Sequence, residues 1–165
     1  MDASKKELLL SQLEAEVRKV GSEVNLTTLE NQQLSLSFFT PIYDDGSGLV
    51  FFELGMVDYA DEFTLFQIVA TLLPEIGKNL PVLEKMIARW NLSALTGAYG
   101  VYYPLDQMYY KNRFLLDEDS EPDALLPMIM NNLYLAYEEI ADKYDAAVLI
   151  VDGKLSYEQA VANNL

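Results

Sequence analysis

The first twenty residues repeat apolar positions at helical spacing: Leu9, Leu13, Val17 and Val20. Ser4, with Glu7 three residues on, forms a capping box, and Gly21 is a stop. A helix over 4–20 is predicted, with Glu14, Arg18 and Lys19 on its polar back. Over 23–73 the period drops to two. Leu34, Leu36 and Phe38 alternate with Ser35 and Ser37, the signature of a half-buried strand. Asp44-Asp45-Gly46-Ser47-Gly48 is a turn, and Phe52, Leu54 and Met56 mark the strand after it. Asp58 to Glu62 is a charged break. The stretch 63–73 fits both periods, but its β-branched and aromatic residues and the closing Pro74 favour a strand. Glu23 to Leu29 adds a short, weakly patterned edge strand.

Helical spacing returns at Leu80, Leu83, Ile87 and Trp90, with Asn79 as cap and Pro81 in the first turn, where a missing N–H costs little. Asn91 and the 93–97 segment end that helix. Strands over 98–103 and 107–116 follow. Asp119-Ser120-Glu121-Pro122 then opens a long helix with the stripe Leu126, Ile129, Leu133, Tyr137, Ile140, Tyr144 and Val148. Pro127 falls early enough to be tolerated. Asp152-Gly153 turns the chain, and Ser156 with Gln159 caps a short terminal helix. The order is α-β-β-β-α-β-β-α plus that helix, with one extra strand allowed. Short-looped runs of strands imply an antiparallel sheet flanked by helices, an α+β fold in one domain over 1–165.

Alternation also makes the sheet apolar on both faces. Phe52, Leu54, Met56, Phe66 and Ile68 point one way, and Phe39, Phe51, Leu65 and Val69 the other. One face needs helices. The second needs the long final helix or a partner. The second hairpin is crowded with tyrosines. Tyr99, Val101 and Tyr103 should share one face, and Tyr102, Tyr109, Lys111 and Arg113 the opposite one. Tyrosine suits a contact surface because its body is apolar and its tip polar.

Charge and composition narrow the chemistry. The 165 residues hold 11 Lys plus Arg against 26 Asp plus Glu, a net charge of −15, with no His and no Cys. Imidazole- and thiolate-based catalysis, structural zinc and iron–sulfur clusters are excluded. A pI near 4.1 argues against nucleic acid and anionic membrane surfaces. No signal-peptide core or membrane span is expected, so the default is a soluble, cytoplasmic protein.

The acidic clusters fail as cation loops. An EF-hand opening at Asp117 would need Gly at its sixth place and Glu at its twelfth, where Pro122 and Met128 stand. Aligned on Asp152, such a loop would have Val148 and Ile150 as ligands and Gln159 at its end. These segments read instead as turns and helix starts, where carboxylates favour the positive end of the helix dipole. Gly97-Ala-Tyr-Gly100 lacks the third Gly and the Lys of a phosphate loop. No cofactor is expected.

Trp90-Asn91 at a helix end, the hairpin from Gly97 to Asp106, a second strand to Leu116, an acidic turn and a long helix together resemble the type III secretion chaperone-like fold. The closest likeness is to the YbjN-type putative sensory transduction regulators. It covers about 4–150 and leaves the terminal turn and helix, 151–165, outside. The resemblance implies a non-enzymatic protein that dimerises and binds other polypeptides. The expected function is thus a protein-binding or regulatory homodimer with a protein or peptide partner. Its expected surface comprises Phe39, Phe51, Leu65, Val69, Trp90, Tyr102, Tyr109, Lys111 and Arg113. Two rivals stand beside it: a carboxylate-based, metal-dependent hydrolase using Mg²⁺, and an acidic inhibitor that mimics nucleic acid.

Overall fold

In a computed structural model, which describes residues 1–29, 33–59 and 63–165, ten regular elements follow one another. They are α1 (Ala3–Val17), β1 (Ser22–Thr28), β2 (Leu34–Pro41), β3 (Leu49–Tyr59), β4 (Phe63–Leu73), α2 (Leu80–Trp90), β5 (Ala98–Tyr102), β6 (Gln107–Leu115), α3 (Pro122–Val151) and α4 (Tyr157–Ala162). The fold is α+β. The strands make one antiparallel sheet in the order β1-β2-β3-β4-β6-β5. The stretch 63–73 is a strand, and the weakly patterned edge strand exists as β1.

Several boundaries differ from the sequence expectation. Helix α1 is capped by Asp2, whose carboxylate accepts the Lys5 N–H at 2.9 Å, and Ser4 lies inside the first turn. It ends at Val17 because the next bonds tighten to a three-residue spacing, and Val20 is left 66% exposed. Asp58 and Tyr59 continue β3, and the rest of the expected break, 60–62, lies outside the described residues. Asn79 sits at the start of α2 but its amide donates to the Val151 carbonyl at 2.7 Å, tying α2 to the end of α3. Strand β5 stops at Tyr102, since Pro104 cannot continue a ladder, and Tyr103 swings out in a short 3₁₀ turn. The buried side of α3 runs through Leu125, Ala136, Ala146 and Ala147, whereas Leu126, Tyr137 and Val148 are only partly covered. Small side chains let a helix approach its neighbours closely, and a stripe read from large apolar residues misses them.

The core lies on one side of the sheet. Leu36 and Phe38 of β2, Phe52 and Leu54 of β3, Phe66 and Ile68 of β4, and Met108 and Tyr110 of β6 point into it and are at most 2% exposed. Leu9, Leu13 and Val17 of α1, Leu83, Met86 and Trp90 of α2, and Ile129 and Ile140 of α3 close over them.

A polar hub ties α3 to the second hairpin. The Glu139 carboxylate accepts bonds from the Tyr110 hydroxyl, the Leu95 N–H and, at 3.0 Å, the Thr96 hydroxyl. The Tyr99 hydroxyl donates to the Glu139 carbonyl at 2.6 Å. Asn91 bonds Tyr99 twice, donating to its carbonyl at 2.9 Å and accepting its N–H at 2.7 Å. The end of α2 thereby fixes the start of β5. The buried oxygens in this hub all have partners, as a buried network requires.

Burial, with Glu139 nearby, pushes the Tyr99 and Tyr110 hydroxyls well above the ordinary value of 10.0. An unfolded tyrosine loses its proton near that value while the folded pair keep theirs. Above about pH 10 the unfolded chain binds fewer protons, so the stability present below that pH is lost as pH rises. Tyr110→Phe should reduce this alkaline slope by one proton, about 1.4 kcal/mol per pH unit. Urea midpoints of the two proteins across the alkaline range check it; parallel slopes would contradict it.

Candidate functional site

Alternation gives each strand a second face, and among the described residues no helix packs on it. The odd-numbered residues of β2, β3, β4 and β6 and the even-numbered ones of β5 point there, except Leu73, which the register shift after Thr71 turns into the core beside Met108. The strand register arranges them in rows. Phe39, Phe51, Thr71, Tyr109 and Gly100 form one row. Beside it run Ser37, Glu53, Val69, Lys111 and Ala98. Ser35, Gly55, Gln67 and Arg113 make the third, and Val57, Leu65 and Leu115 the fourth.

Most of these side chains are half-buried by one another. The Phe39 and Phe51 rings meet at 5.0 Å, tilted by 45°. Tyr109 lies over Gly100, where a Cβ would come within 2.5 Å of its hydroxyl oxygen. Leu115 at the end of the fourth row is 59% exposed. The face is therefore apolar and broad, with charge confined to its middle. Partial burial, with Arg113 alongside, holds the Lys111 amine below its ordinary value. Arg113 donates to the Gln67 side chain at 2.7 Å across the β4–β6 ladder. Glu53 is the carboxylate in this patch, two strands from Lys111.

Eight of the nine expected surface residues lie on this face. Phe39, Phe51, Leu65, Val69, Tyr109, Lys111 and Arg113 sit within the rows, and Tyr102 at the β5 end is 50% exposed. Trp90 does not join them. It is 2% exposed in the core, at 5.9 Å from the Tyr99 ring, because the buried side of α2 faces the sheet. Tyr103, expected to share a face with Tyr99, is 64% exposed and donates to Glu84, whereas Tyr99 is buried. Glu53, Gln67, Thr71 and Leu115 were not singled out from the sequence. Each keeps the parity of a residue that was, so the same alternation would have found them.

The acidic segments are engaged in local structure. Asp45 accepts the Ser47 N–H at 2.9 Å and its hydroxyl at 2.6 Å, which holds its carboxyl below the usual range. Asp117 accepts from the Ser120 hydroxyl at 2.6 Å, with the same effect. Glu118 pairs with the Met1 amine at 2.5 Å and accepts from Thr64 at 2.6 Å. Asp58 is held low by Lys6, 2.6 Å away. Asp152 pairs with Lys154 at 2.7 Å beside Gly153. Among the described residues, no three carboxylates gather as a cation site requires, and no helix is long and apolar enough to cross a membrane.

No protein-family model matches the chain, and no curated protein matches it.

The two glycines of the second hairpin should respond differently to a methyl group. At Gly97 a Cβ would collide with the buried Tyr110 ring and stand 2.7 Å from the Lys111 carbonyl, so Gly97→Ala should cost roughly 1–3 kcal/mol. At Gly100 it meets the free end of Tyr109, which can swing into solvent, so Gly100→Ala should cost less than about 1 kcal/mol. Chemical denaturation of both variants checks this, and equal losses would contradict it.

Proposed function

We propose that this chain is a non-enzymatic protein-binding module that acts as a homodimer, with the helix-free sheet face as its contact surface. The carrying observation is that the face is self-complementary about β4. Phe51 and Tyr109 flank Thr71, Glu53 and Lys111 flank Val69, Gly55 and Arg113 flank Gln67, and Val57 and Leu115 flank Leu65. A twofold axis along β4 lays β3 of one chain over β6 of its copy. Ring then meets ring, carboxylate meets ammonium, the long arginine meets a glycine, and aliphatic meets aliphatic.

Size supports the same reading. Five strands about 4.8 Å apart and four rows about 6.8 Å apart make a face of roughly 600 Å². A pair would cover on the order of 1,200 Å² in total, at the lower edge of stable interfaces. Sheets packed in this way stand about 10 Å apart with strands nearly aligned. The net charge of −15 opposes association at long range, and the paired Glu53 and Lys111 offset part of it locally. The resemblance to YbjN-type regulators and secretion chaperones agrees with a dimer that engages polypeptides. This reading takes the protein to be cytoplasmic, as an acidic chain without cysteine allows.

Light scattering on a sizing column should give twice the 18.7 kDa of one chain. Glu53→Lys and Lys111→Glu should each weaken the dimer about tenfold, and the double exchange should restore it. A monomer at every concentration, or a double exchange as weak as the singles, would overturn the proposal.

A further inference from the structure

On the helix side of the sheet, away from the proposed dimer face, a cavity of about 460 Å³ opens between the β2–β3 corner and the middle of α3. That size suits a small organic molecule. Phe38 and Phe52, stacked at 5.2 Å, line it together with Leu133. Three more rings are part of its wall: Tyr43, Tyr134 and Tyr137. Two of them are fixed. The Tyr137 hydroxyl donates to the Pro41 carbonyl at 3.0 Å, and the Tyr43 hydroxyl donates to Asp145. Tyr43 also packs edge-on against Tyr144 at 6.0 Å. The Asp145 bond pushes the Tyr43 hydroxyl up to about 12, so it stays a neutral donor.

The charge around this cavity has one sign. Among the described residues that line it, the charged one is Asp44, exposed in the turn at the rim. Arg18 and Lys19, next to Val20 at the mouth, are each paired at 2.5 Å, with Glu14 and Glu16. An anionic ligand would be repelled by the charged lining group, the Asp44 carboxylate. A cation would meet that carboxylate and three tyrosine rings, whose π-systems attract positive charge.

We infer that this cavity binds a small organic cation with an apolar body, its hydrocarbon part against Phe38, Phe52 and Leu133 and its charged end among the tyrosines near Asp44. The inference is independent of the dimer proposal, because the cavity and the dimer face lie on opposite sides of the sheet.

Calorimetric titration of the full chain with benzyltriethylammonium, benzyl alcohol and benzenesulfonate tests it. The ammonium ion should bind saturably at one site per chain, about tenfold more tightly than the alcohol, and the sulfonate should not bind. Asp44→Asn should weaken the ammonium ion about three- to fivefold, and Tyr134→Ala at least as much. Asp119→Asn removes the same charge far from the cavity and should leave the affinity unchanged. Both aspartates lie on exposed turns, so folding is preserved. Absence of ammonium binding, equal binding of the alcohol or sulfonate, or equal losses for the two aspartate variants would overturn the inference.

Discussion

Among the described residues, helices α1, α2 and α3 pack on the same side of a six-stranded antiparallel sheet, and α4 packs on α2. An antiparallel sheet commonly has one face on the core and one in water, and the second face is then polar. Here Phe39, Phe51, Val57, Leu65, Val69, Tyr109 and Leu115 occupy it, so the sheet carries apolar area that no helix among the described residues covers. That constraint organises the rest. It separates an inner face sealed by helices from an outer face whose rows mirror each other about β4.

The inner side is built to hold the second hairpin still. Glu139 on α3, Asn91 at the end of α2 and the Tyr99 and Tyr110 hydroxyls form one bonded set between helices and strands. Strand β6 carries Tyr110 into this set with one face and Tyr109, Lys111 and Arg113 outward with the other. The network that fixes β6 in the core therefore also fixes the outward residues. Other carboxylates are held locally: hydrogen bonds from Ser47 and Ser120 stabilise Asp45 and Asp117 in turns, and the amines of Met1 and Lys6 pair with Glu118 before α3 and with Asp58 at the end of β3.

Period-two alternation made the two-sided sheet legible from the chain, because register and parity fix which residues share a face. It placed Phe39, Phe51, Leu65 and Val69 on one surface before any coordinates. Trp90 escaped that logic. It follows the helical period instead, one turn on from Ile87 in the stripe that faces the sheet, so that spacing carries its burial. Tyr103 was misplaced because Pro104 ends the ladder one residue sooner than the aromatic pattern suggests. The α3 seam departs from the stripe where alanines, weak in hydrophobic signal, are buried in it. The Glu139 hub was invisible because its members are spread over Asn91 to Tyr110 and α3, and sequence spacing carries no trace of their meeting. The tyrosine-walled cavity is hidden for the same reason, since it joins a turn at Tyr43 to side chains on α3.

A distance between chains tests the face-to-face arrangement most directly. The chain has no cysteine, so Thr27→Cys on β1 accepts a single spin label at an exposed position facing the same way as the rows. It stands three strand spacings from the axis on β4. With strands about 4.8 Å apart and sheets about 10 Å apart, the two labels of a dimer should lie roughly 30 Å from each other. A label at Ala98, two strands from the axis on the other side, should give a shorter distance of roughly 20 Å. Pulsed dipolar spectroscopy that finds both distances in that order is the predicted result. Absence of dipolar coupling between chains, or a longer distance at Ala98 than at Thr27, would contradict it.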